Sequence, residues 1–467
     1  MQKLFDASFD SLYQYQCPDW FRDAKFGIWS HWGPQSVPML GDWYAKFMYM
    51  QDHEIYRCHL RKYGHPSKFG YKDICALWQA EKFDPEALME RYYRAGARYF
   101  VGQAVHADHF FNYPSQLSPF NAMEMGPHKD ICGLWQQAAA KFGLPFGLSE
   151  HLACSFSWFN SNKAHDTYGP YAGVPYDGAD KRYESLYYDN HEHLLPDGSP
   201  DPNAPWYTGN EAFHDHWLAV SKEIIDRYQP DLLFCDGVLP FGEGSIEDGE
   251  YRYGLEAAAH LYNTSIRKYG KNRAVYTQKD RRPEIYKVGV LNSGDSPLSD
   301  MQADPWQMLD CIGHWFYDIR QSFKKPGQII EMLVDIVSKN GSMLLNMLQR
   351  PDGTIDEEQE YILDELGHWF AANGEGIHGT RPWRMASDDA ADYRFTQKGQ
   401  TLYTFLMRAP ENGAVSIKSL NGNERVSAVR LLGHGEVPFA QTDGTVAVNL
   451  PDRLPTPYAS CLALDLA

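Results

Sequence analysis

Eight short apolar, β-prone runs recur between residues 26 and 349, and each ends in polar or glycine-containing sequence. They are FGIWSHWG (26–33), RYFVGQAVH (98–106), LPFGLSEHL (144–152), DLLFCDG (231–237), RAVYTQKD (273–280), YKVGVLN (286–292), CIGHWFYD (311–318) and SMLLNMLQ (342–349). Most are continuously apolar rather than alternating, the pattern of parallel strands buried on both faces. Helical patterns separate many of them. DPEALMERYYRAGA (84–97) opens with an Asp N-cap and a proline at the first helical position. Residues 129–143, 211–230, 247–270 and 325–341 show apolar residues at helical spacing. Strand–helix alternation repeated eight times predicts a (β/α)8 barrel. The connections from the fifth run to the sixth and from the sixth to the seventh are too short or irregular for full helices, so a distorted barrel is expected.

Residues 354–377 read as a closing helix, and after TRPW (380–383) the pattern changes. Short alternating segments separated by Gly, Asn or Pro then predict an antiparallel β-sandwich. The expected division is a catalytic barrel over 1–377 and a sandwich over 378–467. Residues 153–210, rich in Tyr, Asp, Pro and Gly, form an insertion after the third strand, placed either to narrow a site or to meet a neighbouring copy. A homo-oligomer is left open on that ground.

The net charge of −18 argues against binding a phosphate backbone, so nucleic acid is not an expected partner. No run of 18 apolar residues is present to span a membrane. The first residues, MQKLFDASFD, lack the apolar core of a secretion signal, and the eight cysteines are scattered without CxxC pairs. A cytoplasmic setting is the expectation, with no cofactor and no metal centre.

In such a barrel the C-terminal strand ends build the active site. Those ends carry His31, His106 with Asp108 and His109, Glu150 with His151, Asp236, Lys279 with Asp280, Asp295 slightly beyond strand six, and Trp315. Each alone would be an ordinary turn residue; together they bring imidazoles, carboxylates and aromatic rings to one face. Histidines and carboxylates can hold a metal, here with HADH (106–109) as the nearest cluster, but no HxH or HExxH occurs. The same groups can grip sugar hydroxyls while one carboxylate attacks the anomeric carbon, which also accounts for an aromatic content of 14%.

Several stretches carry a more specific likeness. DWFRDAKFGIWSHWGPQSVP (19–38), GDWYAKFM (41–48), AGARYFV, HADHF, HKDICGLW, PDLLFCDG, VDIVSKNGSMLLN and RPDGTIDEEQEYILDELGHWFAANGEGIHGTRPW follow one another in order. This set resembles the α-L-fucosidases of glycoside hydrolase family 29 across nearly the whole barrel. The resemblance implies retaining hydrolysis of a terminal α-L-fucoside or related glycan, with Asp236 as nucleophile and a second carboxyl as acid/base. It implies substrate contacts from His31, Trp43 and His106, with Asp42 standing where relatives carry a sugar-binding glutamate; His109, Glu150, His151 and Trp315 are further candidate contacts from their places at the strand ends.

Two departures stand out. Asp42-Trp43 replaces a common Glu-Trp, and His106-Ala107-Asp108 replaces a double histidine. The acid/base expected after strand six falls at Gly294, leaving Asp295 as the candidate and Glu284, Glu243 and Glu247 as alternatives. Those changes keep two other outcomes in view: a related glycone such as α-L-galactose, or a carbohydrate-binding protein with weakened turnover.

Overall fold

The computed structural model describes residues 3–191, 194–196, 199–201, 203–242, 251–410 and 412–467. Its strands β1 (Phe26–Ser30), β2 (Phe100–Val105), β3 (Phe146–Glu150), β4 (Leu232–Cys235), β5 (Val275–Gln278), β6 (Val290–Asn292), β7 (Trp306–Cys311) and β8 (Gly341–Met347) form a closed barrel in sequence order. Neighbours are parallel throughout, and β8 closes on β1 with Phe26 opposite Met343. Every residue of these strands is buried, as continuous apolar runs require when helices cover the outside. The interior is filled by Phe21, Trp29, Tyr99, Phe234, Leu309 and Leu344 among others, so the barrel is a packed core rather than a pore.

The helices start where their capping residues dictate. The Asp84 carboxylate accepts from Ala87 N at 3.0 Å ahead of the helix Pro85–Arg94. Asp130 and Asn210 cap Ile131–Lys141 and Glu211–Tyr228 in the same way. Gly270, at φ 77°, ends Arg252–Tyr269. The expected distortion is present: only the four-residue helix Pro283–Tyr286 lies between β5 and β6, and residues 293–305 contain no helix before β7.

One strand differs from the sequence reading. The seventh is Trp306–Cys311, not 311–318. Gln307 and Asp310 interrupt its apolar run, and the barrel absorbs both. The Gln307 amide receives the Asn292 side chain at 2.9 Å and donates to the Tyr99 hydroxyl at 3.0 Å, while Lys324 meets Asp310 at 2.9 Å. Such polar partners are invisible to a hydropathy pattern.

After the helix Glu357–Asn373, nine antiparallel strands follow: β9 (Arg381–Asp388), β10 (Tyr393–Lys398), β11 (Thr401–Leu406), β12 (Ala414–Ile417), β13 (Val426–Leu431), β14 (Gly435–Glu436), β15 (Phe439–Thr442), β16 (Thr445–Asn449) and β17 (Ser460–Leu466). They make a six-stranded sheet ordered β14-β13-β17-β11-β10-β9 and a three-stranded sheet ordered β12-β16-β15. Their shared core, including Phe395, Val429, Val446 and Leu464, is separate from that of the barrel. Trp369 Nε1 donates to Ala459 O at 2.7 Å and Arg394 pairs with Asp335 at 2.7 Å, fastening the sandwich to the closing helices. All eight cysteines are free thiols, and no helix among the described residues is long and apolar enough to cross a membrane.

Candidate functional site

Asp236 follows β4 directly, and its backbone N–H donates to Glu150 O at 3.0 Å, continuing the ladder one residue past the strand. Its side chain, 25% exposed, is held on both oxygens. Lys279 Nζ lies 2.6 Å from Oδ1, and the His151 imidazole donates from Nδ1 to Oδ2 at 3.1 Å. Burial would raise the carboxyl's pKa, but Lys279 and His151 outweigh it and hold the group well below the usual carboxylate range. Lys279 is raised in turn: Asp236 prevails over the burial that would lower it. An ionised, anchored carboxylate with an open side is what nucleophilic displacement needs.

Beside it lies a cluster of imidazoles. His31, the first residue past β1, sits 4.8 Å from His106 and 4.9 Å from His151, ring centre to ring centre. Burial first, then the neighbouring imidazoles, push His31 well below its ordinary pKa. Burial and His151 do the same to His106. Gln35 fixes the His106 tautomer. Its Oε1 accepts from Ala45 N at 3.2 Å, so its Nε2 donates to His106 Nδ1 at 2.8 Å and the ring proton sits on Nε2.

Both His31 ring nitrogens are buried without a hydrogen-bond partner among the described residues. Leaving a buried polar group unpaired costs about 1–3 kcal/mol. A polyol bound here would satisfy such groups, and so would a cation.

Asp42 faces the same cluster. Burial pushes its carboxyl up to about 7, against the hydrogen bond it accepts from Trp43 N at 2.8 Å, with the charge of Asp236 adding to the rise. It is therefore poised between donating and accepting near neutrality. Ligand-capable atoms of His31, Asp42 and His106 lie within 4.8 Å of one another, but with its Nδ1 taken by Gln35 and its proton on Nε2, His106 has no lone pair free for a cation. Aromatic walls complete the site. Trp29 stacks on His151 at 5.6 Å, Trp315 lies 5.7 Å from His31, and Phe316 lies 4.7 Å from it. Trp43 meets Trp158 edge-on at 5.8 Å. Because β7 ends at Cys311, Trp315 reaches the site from the following loop, where Asn346 Nδ2 donates to its carbonyl at 2.9 Å.

The structure does not bring every expected residue to this cluster. His109 turns away: its nitrogens meet Leu186 O at 3.2 Å and His216 Nε2 at 3.0 Å, and its ring stacks on Tyr188. It ties the β2 loop to the insertion. Glu150 is fully buried behind Asp236, with Oε2 accepting from Leu152 N and Trp217 Nε1 at 2.9 and 3.0 Å. Burial raises it to about 7 despite those bonds, which marks it as a support for the β3–β4 edge. Asp295 is exposed in the loop after β6, close enough for its charge to act on Lys279. Glu284 is exposed on the short helix after β5, where its carbonyl accepts the Tyr13 hydroxyl. Glu243 and Glu247 lie outside the described residues.

Size alone does not find this site. A cavity of about 1050 Å³ opens at the opposite end of the barrel between residues 13–22 and the segments leading into β5–β7, and no imidazole lines it. The sequence reading missed Gln35 and Trp158 as parts of the site and underused Lys279. Gln35 lies within the GPQSVP stretch, and Lys279 shows in the sequence only as a cation at the fifth strand's end.

The family model described as Alpha-L-fucosidase matches residues 1–375. The chain belongs to the α-L-fucosidase family. The model described as the α-L-fucosidase C-terminal domain matches residues 388–465. Among curated family members, the tissue α-L-fucosidase of Rattus norvegicus is 26% identical, covering 97% of this chain and 89% of the relative. The plasma α-L-fucosidase of Homo sapiens is 27% identical over 92% of this chain and 85% of its own length. The α-fucosidase of Thermotoga maritima, solved with a mechanism-based inhibitor, shares the fold at TM-score 0.76 and 23% identity, covering 99% of this chain and all of that one.

Proposed function

We propose that this member of the family is a retaining exo-α-L-fucosidase acting by double displacement, with Asp236 as nucleophile. The observation that carries the reading is the carboxylate itself, ionised between Lys279 and His151 at the mouth of the barrel, beside the His31 imidazole with both nitrogens unpaired. In the first step an Asp236 oxygen attacks C1 as the glycosidic C–O bond breaks, and the departing oxygen takes its electron pair and a proton from the general acid. In the second step water, deprotonated by the same group, releases the sugar and restores the carboxylate. His31, His106 and Asp42 supply hydrogen bonds to the sugar's hydroxyls, and Trp43 and Trp315 supply apolar faces.

Asp295 is the proposed acid/base. Its exposure suits a group that meets solvent water in the second step, and its charge reaches Lys279. Loss of acid/base catalysis costs roughly 10²–10⁴-fold. Asp295→Ala is therefore expected to lose that much on a fucoside with a poor leaving group and far less on an aryl fucoside. Azide should restore its turnover with α-L-fucosyl azide as product. If azide leaves the variant unchanged, the proton comes from another carboxyl.

Proton NMR of hydrolysis at its first turnovers tests the proposal as a whole. The expected first product is α-L-fucose, which then mutarotates. The β anomer appearing first would contradict double displacement.

A further inference from the structure

The insertion over 153–210 is knit to the connection between β1 and β2. The Tyr56 and Tyr176 hydroxyls donate to Asp166 at 2.6 Å each, and those of Tyr49 and Tyr187 donate to Asp177 at 2.7 Å each. Its last turn then reaches the nucleophile. The Tyr207 hydroxyl accepts from Val238 N at 2.9 Å, two residues past Asp236. Gly237, at φ +111°, is required between them: a Cβ there would occupy the place of the Tyr207 hydroxyl. The glycine that follows the apolar run DLLFCD thus serves to let the insertion clasp the turn that carries the carboxylate.

That clasp fixes the neighbouring Trp206. Tyr207 is buried while Trp206 is 43% exposed, an unusual state for a large ring held so close to a packed anchor. The Trp206 ring lies 6.2 Å from that of Trp43, tilted by 32°. Trp206, Tyr207, Gly237, Val238 and Lys279 bound an open pocket of about 430 Å³. Since Lys279 touches Asp236 and Gly237 adjoins it, the pocket lies beside the nucleophile, and no imidazole lines it. Outward from the reacting carbon is where a leaving group must lie.

We propose that Trp206 is the platform on which the leaving group stacks, so that this protein selects fucosides whose aglycone presents a flat apolar face, a sugar ring or an aryl ring. The proposal rests on the retaining-fucosidase reading above. It makes Trp206 a specificity residue of the first displacement, contacting the departing group and taking no part in proton transfer.

The test compares the unaltered protein with Trp206→Ala and Trp206→Phe on three substrates: an α-L-fucosyl disaccharide, 4-nitrophenyl α-L-fucoside and α-L-fucosyl fluoride. The fluoride leaves with its electron pair and has no ring to stack. For Trp206→Ala, kcat/KM is expected to fall about tenfold on the two ring-bearing substrates, mainly through KM, and to hold on the fluoride. Trp206→Phe should retain most activity on all three. Equal losses on all three substrates, or no loss on any, would overturn the platform while leaving the fucosidase reading intact. No turnover of any substrate by the unaltered protein would overturn that reading, and the platform with it.

Discussion

Asp236→Asn is expected to lose activity on 4-nitrophenyl α-L-fucoside by on the order of 10⁴-fold or more, the scale seen when a catalytic nucleophile is removed. The amide keeps the side chain's volume and can still meet His151, so the loss should come without a comparable loss of fold. It does leave Lys279 facing a neutral group in place of its 2.6 Å partner, and a modest fall in Tm is expected for that reason. Asp236→Gly removes the side chain and makes room for a small anion. Azide should then attack C1 from the vacated face and give β-L-fucosyl azide, the opposite anomer from the Asp295→Ala product. Two variants, one added anion and two products of opposite configuration would assign the two faces of the sugar. Undiminished hydrolysis by Asp236→Asn would remove the nucleophile assignment.

The second large effect concerns pH. Lys279 is the chief reason that Asp236 stays ionised, since burial alone would raise its pKa. An opposite charge at such range lowers an aspartate by about 1–3 units. Lys279→Met is therefore expected to move the acid limb of kcat/KM upward by about 1–3 pH units, whereas Lys279→Arg should leave it nearly in place. The same variant should slow the second displacement, because the departing carboxylate no longer has its cation. The sign for stability follows from the depressed pKa. The pair stabilises the fold above the unfolded aspartate's pKa, and that contribution is lost as pH falls through the lower folded value. Both partners are partly exposed, so the stability change should be small beside the change in rate. An acid limb that stays where it was in Lys279→Met would show that another group governs the nucleophile.

The barrel could be read in advance because most of its eight strands lie within nearly uninterrupted apolar runs, a pattern that double-sided burial imposes. The seventh could not. Its Gln307 and Asp310 are paired across the interior with Asn292, Tyr99 and Lys324, partners between 14 and 208 residues away in sequence. The site shows the same division. His31, His106, His151 and Asp236 sit at or just past strand ends, where the fold must present them, so their convergence followed from topology. His109 lies three residues beyond His106 and has the same chemistry. Only its left-handed backbone, φ 59°, and the facing Leu186 and His216 turn it away from the site. Trp206 was hidden for the converse reason. It belongs to a segment without periodicity, and its position depends on the Tyr207 hydroxyl accepting from the Val238 N–H in the space that Gly237 leaves. The family likeness supplied what spacing could not, the roles of nucleophile and acid/base, and it also exposed the gap at Gly294. Open space lies where a Cβ at Gly294 would point, but its φ of +72° is one that side-chain-bearing residues adopt only under strain.

Mass spectrometry of the intact protein and of its peptides after exposure to 2-deoxy-2-fluoro-α-L-fucosyl fluoride addresses the covalent step itself. The fluorine at C2 slows both displacements while the fluoride at C1 drives the first, so the glycosyl-enzyme should accumulate. One fluorofucosyl adduct on the peptide bearing DLLFCDG, placed on Asp236 by fragmentation, is the predicted result. An adduct on any other carboxylate, or rapid hydrolysis of ordinary fucosides by a protein that never takes up the label, would contradict it.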